Sequence, residues 1–326
     1  MKFRAPAKIN LALHVTGQRP DGYHLIESLV TFADAGDEIF IETSDRDRLT
    51  FSGQFGSLLA ADFGTNLIIK ALDAIRAAAK DRRCPPVAIH LEKNLPLASG
   101  IGGGSADAAA ALRGLNEYWG LGLSQAELMR IGLPLGADVP MCVFGKPLIA
   151  RGIGEIIEPV SLPELPMVLV NPGVGVSTPA IFKALVKKAN GGLPVISPLA
   201  GEMSRSDRGG RLAPTHAPLS VETRELTAEV PSSGATRHLL PTRDVGRSKS
   251  GTLVDYLRTT RNDLEAPARA IQPVIGDVIA ALEKSGALFA RMSGSGATCF
   301  GIYADNTAAE AAKASIGKSH PDWWVA

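Results

Sequence analysis

The chain has 326 residues and a formal net charge of +1, so it is long enough for one large or two ordinary domains and lacks the strong charge that favours nucleic acid or anionic membranes. Residues 1–8 lack the apolar segment of a signal peptide, and no uncharged apolar run approaches the roughly 20 residues that cross a bilayer. The three cysteines, Cys84, Cys142 and Cys299, match no zinc or redox spacing. We therefore predict a cytoplasmic enzyme without nucleic-acid or membrane partners, and without a metal site except for magnesium carried in with a nucleotide.

The first elements are predicted from alternation and turn residues. Residues 8–15 form a strand, because apolar residues occupy every second position. A turn follows at residues 16–22, where a proline and an Asp-Gly pair interrupt the pattern. A second strand is predicted at residues 37–43. Next comes a helix that Thr65 caps and that extends to about Ala79.

The rest of the chain continues to mix strands and helices. A strand at residues 87–91 leads into a glycine-rich loop and a helix that runs to about Trp119. A capping box that starts at Ser124 begins another helix, and further strands are predicted at residues 168–171 and 297–303. Because no strict strand–helix–strand repeat is present, we predict an α+β fold rather than a doubly wound parallel sheet.

The glycine-rich loop is the most informative segment of the chain. Residues 95–107 read LPLASGIGGGSAD and are followed at once by an alanine-rich helix. Glycines let the backbone approach a ligand closely, and the helix start presents unpaired N–H groups and the positive end of its dipole. The segment therefore predicts an anion site, with phosphate as the anion.

This loop matches neither of the two common phosphate motifs. No lysine follows Gly103 or Gly104, as the Walker A motif requires, and Ser105 stands where the dinucleotide fingerprint has its third glycine. The alternative is a glycine-rich turn that only lets the helix pack closely on a sheet. We favour phosphate binding, because turns rarely need three consecutive glycines and a serine at a helix start.

Residues 200–250 differ from the rest of the chain in composition. They repeat Ser, Arg, Thr, Pro and Gly and show little apolar periodicity. Such a stretch cannot bury enough surface to offset the entropy of ordering it, so we expect a solvated, mobile insertion. The alternative is a basic tract for phosphate-rich partners, but acidic residues interrupt it repeatedly.

Three separated motifs resemble those of the GHMP kinases, which include galactokinase, homoserine kinase, mevalonate kinase and phosphomevalonate kinase. They lie at residues 5–11 (APAKINL), 95–110 and 291–300 (RMSGSGATCF). The resemblance covers nearly the whole chain apart from the insertion. It implies a two-lobed α+β fold with an N-terminal nucleotide-binding domain at residues 1–160 and a smaller C-terminal domain at residues 161–326.

Two further segments resemble one branch of that family. Residues 16–24 (TGQRPDGYH) and 136–140 (GADVP) are similar to the enzymes that phosphorylate 4-diphosphocytidyl-2-C-methyl-D-erythritol. The resemblance implies transfer of the γ-phosphoryl group of ATP, with Mg²⁺, to the 2-hydroxyl of that molecule, in the methylerythritol phosphate route to isopentenyl diphosphate. The alternatives are a homoserine or mevalonate kinase, a diphosphomevalonate decarboxylase, or a non-catalytic binder, which would be expected to lack Lys8 or Asp138.

Lys8 and Asp138 are the catalytic residues that the resemblance implies. A partly desolvated carboxylate at Asp138 could act as a general base, and a buried Lys8 would need a partner, for which Asp138 is the candidate. Taken alone, Asp138 is equally consistent with a helix N-cap, and Lys8 with a solvated lysine at a sheet edge. The matching phosphate loop favours the catalytic interpretation.

The resemblance places ATP at the glycine-rich loop. There Ser105 could reach a phosphate or Mg²⁺. A turn at residues 293–296 would close over the phosphates, although it could also be only a tight turn before a strand. The predicted ATP-binding residues are Pro96, Leu97, Ala98, Ser99, Gly100, Ile101, Gly102, Gly103, Gly104, Ser105 and Ala106.

The resemblance also places the acceptor substrate. Tyr23 and His24 would hold the cytosine by stacking and hydrogen bonding, and Phe182 would cover its other face. Asn10 would position the substrate near Lys8. The alternatives are a core aromatic on a helix for Phe182 and a solvent-facing polar residue on a strand for Asn10.

Overall fold

The computed structural model describes residues 1–59, 66–80, 82–189 and 250–326. The predicted cap Thr65 therefore lies outside the described residues. So does the predicted insertion at residues 200–250, except for its last residue, Ser250, where a helix begins. The described parts form two sheets with helices packed on them, which confirms the predicted α+β class.

Two long antiparallel strands, β1 (Lys2–Gln18) and β2 (His24–Thr43), form the centre of the first sheet. The turn between them contains Gly22 with φ +90°, a conformation that favours glycine. Both strands are longer than predicted. Register shifts, such as the one between Pro6 and Lys8, break the alternation on which the sequence prediction depends.

Shorter strands extend the first sheet on both sides of β2. They are β3 (Arg48–Ser52), β4 (Val87–Glu92), β5 (Leu148–Gly152) and β6 (Ile156–Pro159). The order is β3-β4-β2-β5-β6, with β1 also paired to β2, and β3 and β4 are parallel. The sequence predicted β4 alone among these four, because the others are only four or five residues long and show no clear period.

Helix α2 positions the glycine-rich loop against the first sheet. The helices of this half are α1 (Leu67–Ala78), α2 (Gly103–Tyr118), α3 (Gln125–Gly132) and α4 (Val139–Phe144). Residues 108–111 of α2 are alanines with no exposed surface, and such small side chains let the helix lie close to β1 and β2. The capping box at Ser124 is confirmed, whereas the cap of α1 is Asn66, whose Oδ1 accepts a hydrogen bond from the N–H of Ile68.

The second sheet lies in the C-terminal half and is antiparallel throughout. Its strands are β7 (Met167–Asn171), β8 (Phe289–Met292), β9 (Cys299–Ile302) and β10 (Trp324–Val325), in the order β10-β7-β9-β8. Its helices are α5 (Thr178–Ala189), α6 (Ser250–Arg258), α7 (Glu265–Ile271), α8 (Val274–Lys284) and α9 (Asn306–Ser319). The strands predicted at residues 168–171 and 297–303 correspond to β7 and β9.

Strand β1 also joins the two halves. The buried guanidinium of Arg291 donates to the carbonyl oxygens of Leu11 (2.9 Å) and Thr260 (2.7 Å), and Asp263 accepts from the N–H of Val15 (2.7 Å). All first-sheet strands precede residue 160 and all second-sheet strands follow it, but the domain division at that residue stays a prediction.

Within the described ranges, no helix is both long and apolar enough to cross a membrane.

Candidate active site

A cavity of about 1450 Å³ brings together most of the residues that the sequence singles out. It is bordered by β1, the turn that follows it, the glycine-rich loop and the starts of α4 and α5. Ile101 and Ala106 are exceptions among the predicted ATP-binding residues. Their side chains are buried in hydrophobic clusters and do not line the cavity, so contact with ATP at these two positions would involve the backbone and stays a prediction.

Lys8 and Asp138 form an ion pair in this cavity. Lys8 Nζ lies 2.9 Å from Asp138 Oδ2, with side-chain exposures of 5% for the lysine and 36% for the aspartate. Asp138 occupies the position before α4, but its side chain makes no capping hydrogen bond. Lys8 is therefore not a solvated edge residue, and that alternative is wrong. Asp138 does hold the N-cap position of α4, as its alternative expects, but its side chain pairs with Lys8 and does not cap the helix.

The glycine-rich loop passes directly beside this ion pair. Ile101 accepts a hydrogen bond from the N–H of Lys8 (3.0 Å), and a Cβ atom on Gly102 would lie 3.3 Å from Lys8 Cε. Gly102 has φ +65° and precedes the first residue of α2, so the chain turns into the helix without a side chain between Lys8 and the cavity. The N–H groups of Gly103, Gly104 and Ser105 precede the first helical hydrogen bond, which Ala106 donates to Gly102.

The predicted turn at residues 293–296 packs against the glycine-rich loop. A Cβ atom on Gly100 would lie 2.5 Å from Ser293 O and Gly296 N, and one on Gly294 would lie 2.5 Å from Gly100 O. The N–H of Thr298 donates to Ser99 O at 3.1 Å. The two glycine-containing segments therefore interlock through their backbones, and neither Gly100 nor Gly294 has room for a side chain.

Asn10 is buried, and its orientation is set by a chain of hydrogen bonds. Its Nδ2 donates to Ser28 Oγ (2.7 Å), and that hydroxyl donates to Ala12 O (2.7 Å). Asn10 Oδ1 is buried, has no hydrogen-bond partner among the described residues and belongs to a residue that lines the cavity. The alternative of a solvent-facing strand residue is therefore wrong.

Three aromatic rings lie at the other end of the cavity. His24 and Phe182 stack on each other with ring centroids 4.5 Å apart and planes at 21°, whereas Tyr23 is 58% exposed. Burial lowers the pKa of His24, which favours the neutral ring, and its Nε2 has no partner among the described residues. Phe182 also packs against a hydrophobic cluster of the C-terminal half, so the core interpretation holds for part of its surface.

Sequence reasoning missed a buried ion triad behind the loop. Lys93 Nζ lies 2.6 Å from Asp37 Oδ2 and 2.6 Å from Asp107 Oδ2. A signal was present, because Asp107 is the only charged residue between Gly103 and Leu112 in the sequence. Within the described ranges, no group of three or more His, Cys, Asp or Glu side chains could hold a metal ion.

Two family descriptions match parts of the chain. Residues 66–146 match the GHMP kinases N-terminal domain, and residues 251–322 match the GHMP kinases C-terminal domain. A protein of Chelativorans sp. (strain BNC1) is 47% identical over 98% of this chain and 93% of its own length, and one of Rhizobium meliloti (strain 1021) is 48% identical over 100% and 93%. Both relatives are named 4-diphosphocytidyl-2-C-methyl-D-erythritol kinase.

Solved structures with the same fold include enzymes of two substrate classes. One is a crystal structure of 4-(cytidine 5'-diphospho)-2C-methyl-D-erythritol kinase, with a TM-score of 0.66 and 26% sequence identity. The match spans 100% of this chain and 98% of the chain in that structure. Another is the L. major mevalonate kinase in complex with R-mevalonate, with a TM-score of 0.64 and 16% sequence identity. This match spans 100% of this chain and 94% of the chain in that structure. The second likeness shows the fold alone.

Proposed function

The chain belongs to the 4-diphosphocytidyl-2-C-methyl-D-erythritol kinases of the GHMP family, and we propose that its cavity catalyses their reaction with Lys8 and Asp138 at the transfer step. The γ-phosphoryl group of ATP moves to the 2-hydroxyl of 4-diphosphocytidyl-2-C-methyl-D-erythritol, in the methylerythritol phosphate route to isopentenyl diphosphate. The observation that carries this proposal is the 2.9 Å contact between Lys8 and Asp138 beside the glycine-rich loop.

ATP would bind with its phosphates at the start of α2. The N–H groups of Gly103, Gly104 and Ser105 and the positive end of the helix dipole favour an anion there. We assign Mg²⁺ to the incoming nucleotide, because this ion commonly uses phosphate oxygens together with few protein ligands. The Ser105 hydroxyl is a suitable ligand in the cavity, and the bound ion would neutralise charge on the phosphates.

Transfer needs a proton acceptor and a positive charge near the reacting atoms. The acceptor hydroxyl oxygen attacks the γ-phosphorus, the bond to the β–γ bridging oxygen breaks, and ADP leaves. The partly exposed carboxylate of Asp138 is accessible to the hydroxyl and would take its proton. Lys8, whose position is set by burial, would offset the negative charge that develops on the transferring group.

The other end of the cavity would hold the cytidyl group of the acceptor. Tyr23 offers an exposed ring for stacking on the flat base. The His24–Phe182 stack leaves no space for a base between these two rings, so the base would lie against their outer surfaces or on Tyr23. Asn10 would accept a hydrogen bond from a substrate hydroxyl through its unpartnered Oδ1.

A panel of acceptors tests this proposal. The purified protein is incubated with Mg-ATP and, separately, with 4-diphosphocytidyl-2-C-methyl-D-erythritol, homoserine, mevalonate or diphosphomevalonate, and ADP release is measured. We expect phosphorylation of the cytidyl substrate at a kcat/KM at least about 100-fold above the others, a ratio that corresponds to about 2.7 kcal/mol. Faster turnover of homoserine or mevalonate, or release of carbon dioxide from diphosphomevalonate, would contradict it.

The proposed location is the cytoplasm. Cys84, Cys142 and Cys299 are all free thiols, and two of them are buried. Free cysteines are typical of a reducing compartment, which is also where ATP is available. Fractionation of cells with an antibody against the protein tests this assignment, and recovery outside the cytoplasmic fraction would contradict it.

A further inference from the structure

The buried triad of Asp37, Lys93 and Asp107 connects the two ends of the glycine-rich loop. Lys93 comes two residues before Leu95, where the loop begins, and Asp107 lies in the first turns of α2, where the loop has ended. The three residues are only 1%, 1% and 4% exposed. One ammonium group thus contacts carboxylates from β2 and from α2 at 2.6 Å each.

Each carboxylate holds a different part of the loop. Asp37 Oδ1 accepts hydrogen bonds from the N–H groups of Asn94 (2.6 Å) and Leu95 (2.8 Å), and these bonds fix where the loop begins. Asp107 fixes α2, whose first residue is Gly103, and a Cβ atom on Gly103 would lie 3.1 Å from Lys93 Nζ. The loop between these points is therefore attached at both ends to the same lysine.

The triad is electrostatically unbalanced and borders the ATP cavity. Two carboxylates face one ammonium, and burial raises the pKa of Asp107 to about 7 in spite of the attraction of Lys93. Asp107 Oδ1 is buried without a hydrogen-bond partner among the described residues, and both Lys93 and Asp107 line the cavity. A buried ion pair seldom stabilises a protein more than apolar packing of similar volume. Stability of the fold therefore does not explain why a second carboxylate, that of Asp107, is buried beside Lys93.

We propose that Asp37, Lys93 and Asp107 are positioning residues that hold the glycine-rich loop in its ATP-binding shape. This inference rests on the proposed function, because it assigns ATP to that loop. The triad does not touch the Lys8–Asp138 pair through any hydrogen bond of the described chain. It therefore affects nucleotide affinity more than acceptor affinity or the transfer step itself.

Replacement of Asp107 by alanine separates positioning from stability. The substitution adds one more alanine to an alanine-rich helix and leaves Lys93 and Asp37 as a balanced pair, so the free energy of unfolding should change little or rise. The Kd for Mg-ATP, measured by calorimetry without acceptor, should nevertheless rise about tenfold, as should the KM for ATP. The KM for the acceptor and kcat at saturating ATP should stay within about threefold of wild type.

Two further variants complete the test. Asp107→Asn keeps an oxygen that can accept from Lys93 and should recover ATP affinity to within about threefold of wild type. Asp73→Ala removes an exposed carboxylate of α1 and should change nothing. If Asp107→Ala does not fold, Lys93→Arg is measured instead, because it keeps the charge but alters the geometry of the contacts and should also weaken ATP binding.

Unchanged ATP affinity in a folded Asp107→Ala or Lys93→Arg variant would overturn the proposal. An equal rise in the acceptor KM would do the same, because the triad would then support the whole cavity. The calorimetric measurement needs no acceptor, so a wrong acceptor assignment leaves it interpretable. Failure of the wild-type protein to bind Mg-ATP would instead count against the proposed function.

Discussion

Replacing Asp138 by asparagine tests whether its carboxylate takes part in phosphoryl transfer. The change should have little effect on folding, because the Asp138 side chain makes no capping hydrogen bond with α4. The amide oxygen of asparagine can still accept the 2.9 Å hydrogen bond from Lys8, so the buried ammonium keeps a partner. For a pair in which one side chain is 36% exposed, we expect the free energy of unfolding to fall by less than about 1 kcal/mol.

The effect on turnover should be much larger than the effect on stability. An amide cannot accept the proton of the attacking hydroxyl, and loss of a general base typically lowers the rate by about 10²–10⁴. This range corresponds to about 2.7–5.4 kcal/mol of activation free energy. The KM of the acceptor should change little, because the carboxylate acts mainly in the transition state.

The assay measures ADP release at saturating Mg-ATP while the acceptor is titrated, and urea unfolding is followed in parallel. Asp73→Asn, an exposed carboxylate of α1, provides a matched control that should behave as wild type. A folded Asp138→Asn protein with kcat within about threefold of wild type would refute the reasoning. A large rise in the acceptor KM with normal kcat would show that Asp138 binds substrate and does not take the proton.

Three further predictions concern the aromatic end, the interlocked loops and pH. Tyr23→Ala should weaken acceptor binding by about 1–3 kcal/mol with an unchanged KM for ATP, and equal effects on both KM values would contradict base stacking. Gly100→Ala should destabilise the protein more than Gly120→Ala in urea titrations. Both glycines have positive φ, but only at Gly100 would the new Cβ atom meet backbone at 2.5 Å, so equal losses would argue against interlocking. Burial and the Arg261 charge lower the pKa of His14 below 6.5 in the folded protein. The unfolded chain therefore takes up the proton first as pH falls, and the free energy of unfolding decreases below about pH 6.5. The urea midpoint should therefore drop less between about pH 7.5 and about pH 5.5 in His14→Gln than in wild type, and an equal drop in both proteins would contradict this prediction.

Local signals predicted much of the framework. The capping box at Ser124 and the alanine-rich helix depend on contacts within a few residues, so propensity and spacing suffice. The helix after the glycine-rich loop was predicted to run to about Trp119, and α2 ends at Tyr118 with Trp119 as its cap. The long strands were predicted only in part, because their register shifts depend on pairing between β1 and β2.

The site was predictable only where a motif names a residue. Physical reasoning about the sequence gave a reason for Lys8 to have a partner, but 130 residues separate it from Asp138, and the pairing came from the family resemblance. The burial of the Ile101 and Ala106 side chains in hydrophobic clusters was not predictable, because tertiary packing decides where side chains on a loop and at a helix start point. The His24–Phe182 stack depends on packing between β2 and α5, which no local pattern records.

The contact between Gly100 and the turn at residues 293–296 has a consequence for the protein during its synthesis. The hydrogen bond from Ser293 Oγ to Gly100 O joins residues 193 positions apart, so the glycine-rich loop gains this support only after nearly the whole chain has been synthesised. Synthesis that terminates before residue 293 therefore yields a fragment that has the glycines of the loop but not the backbone that packs against them. We therefore expect such fragments to hydrolyse no ATP.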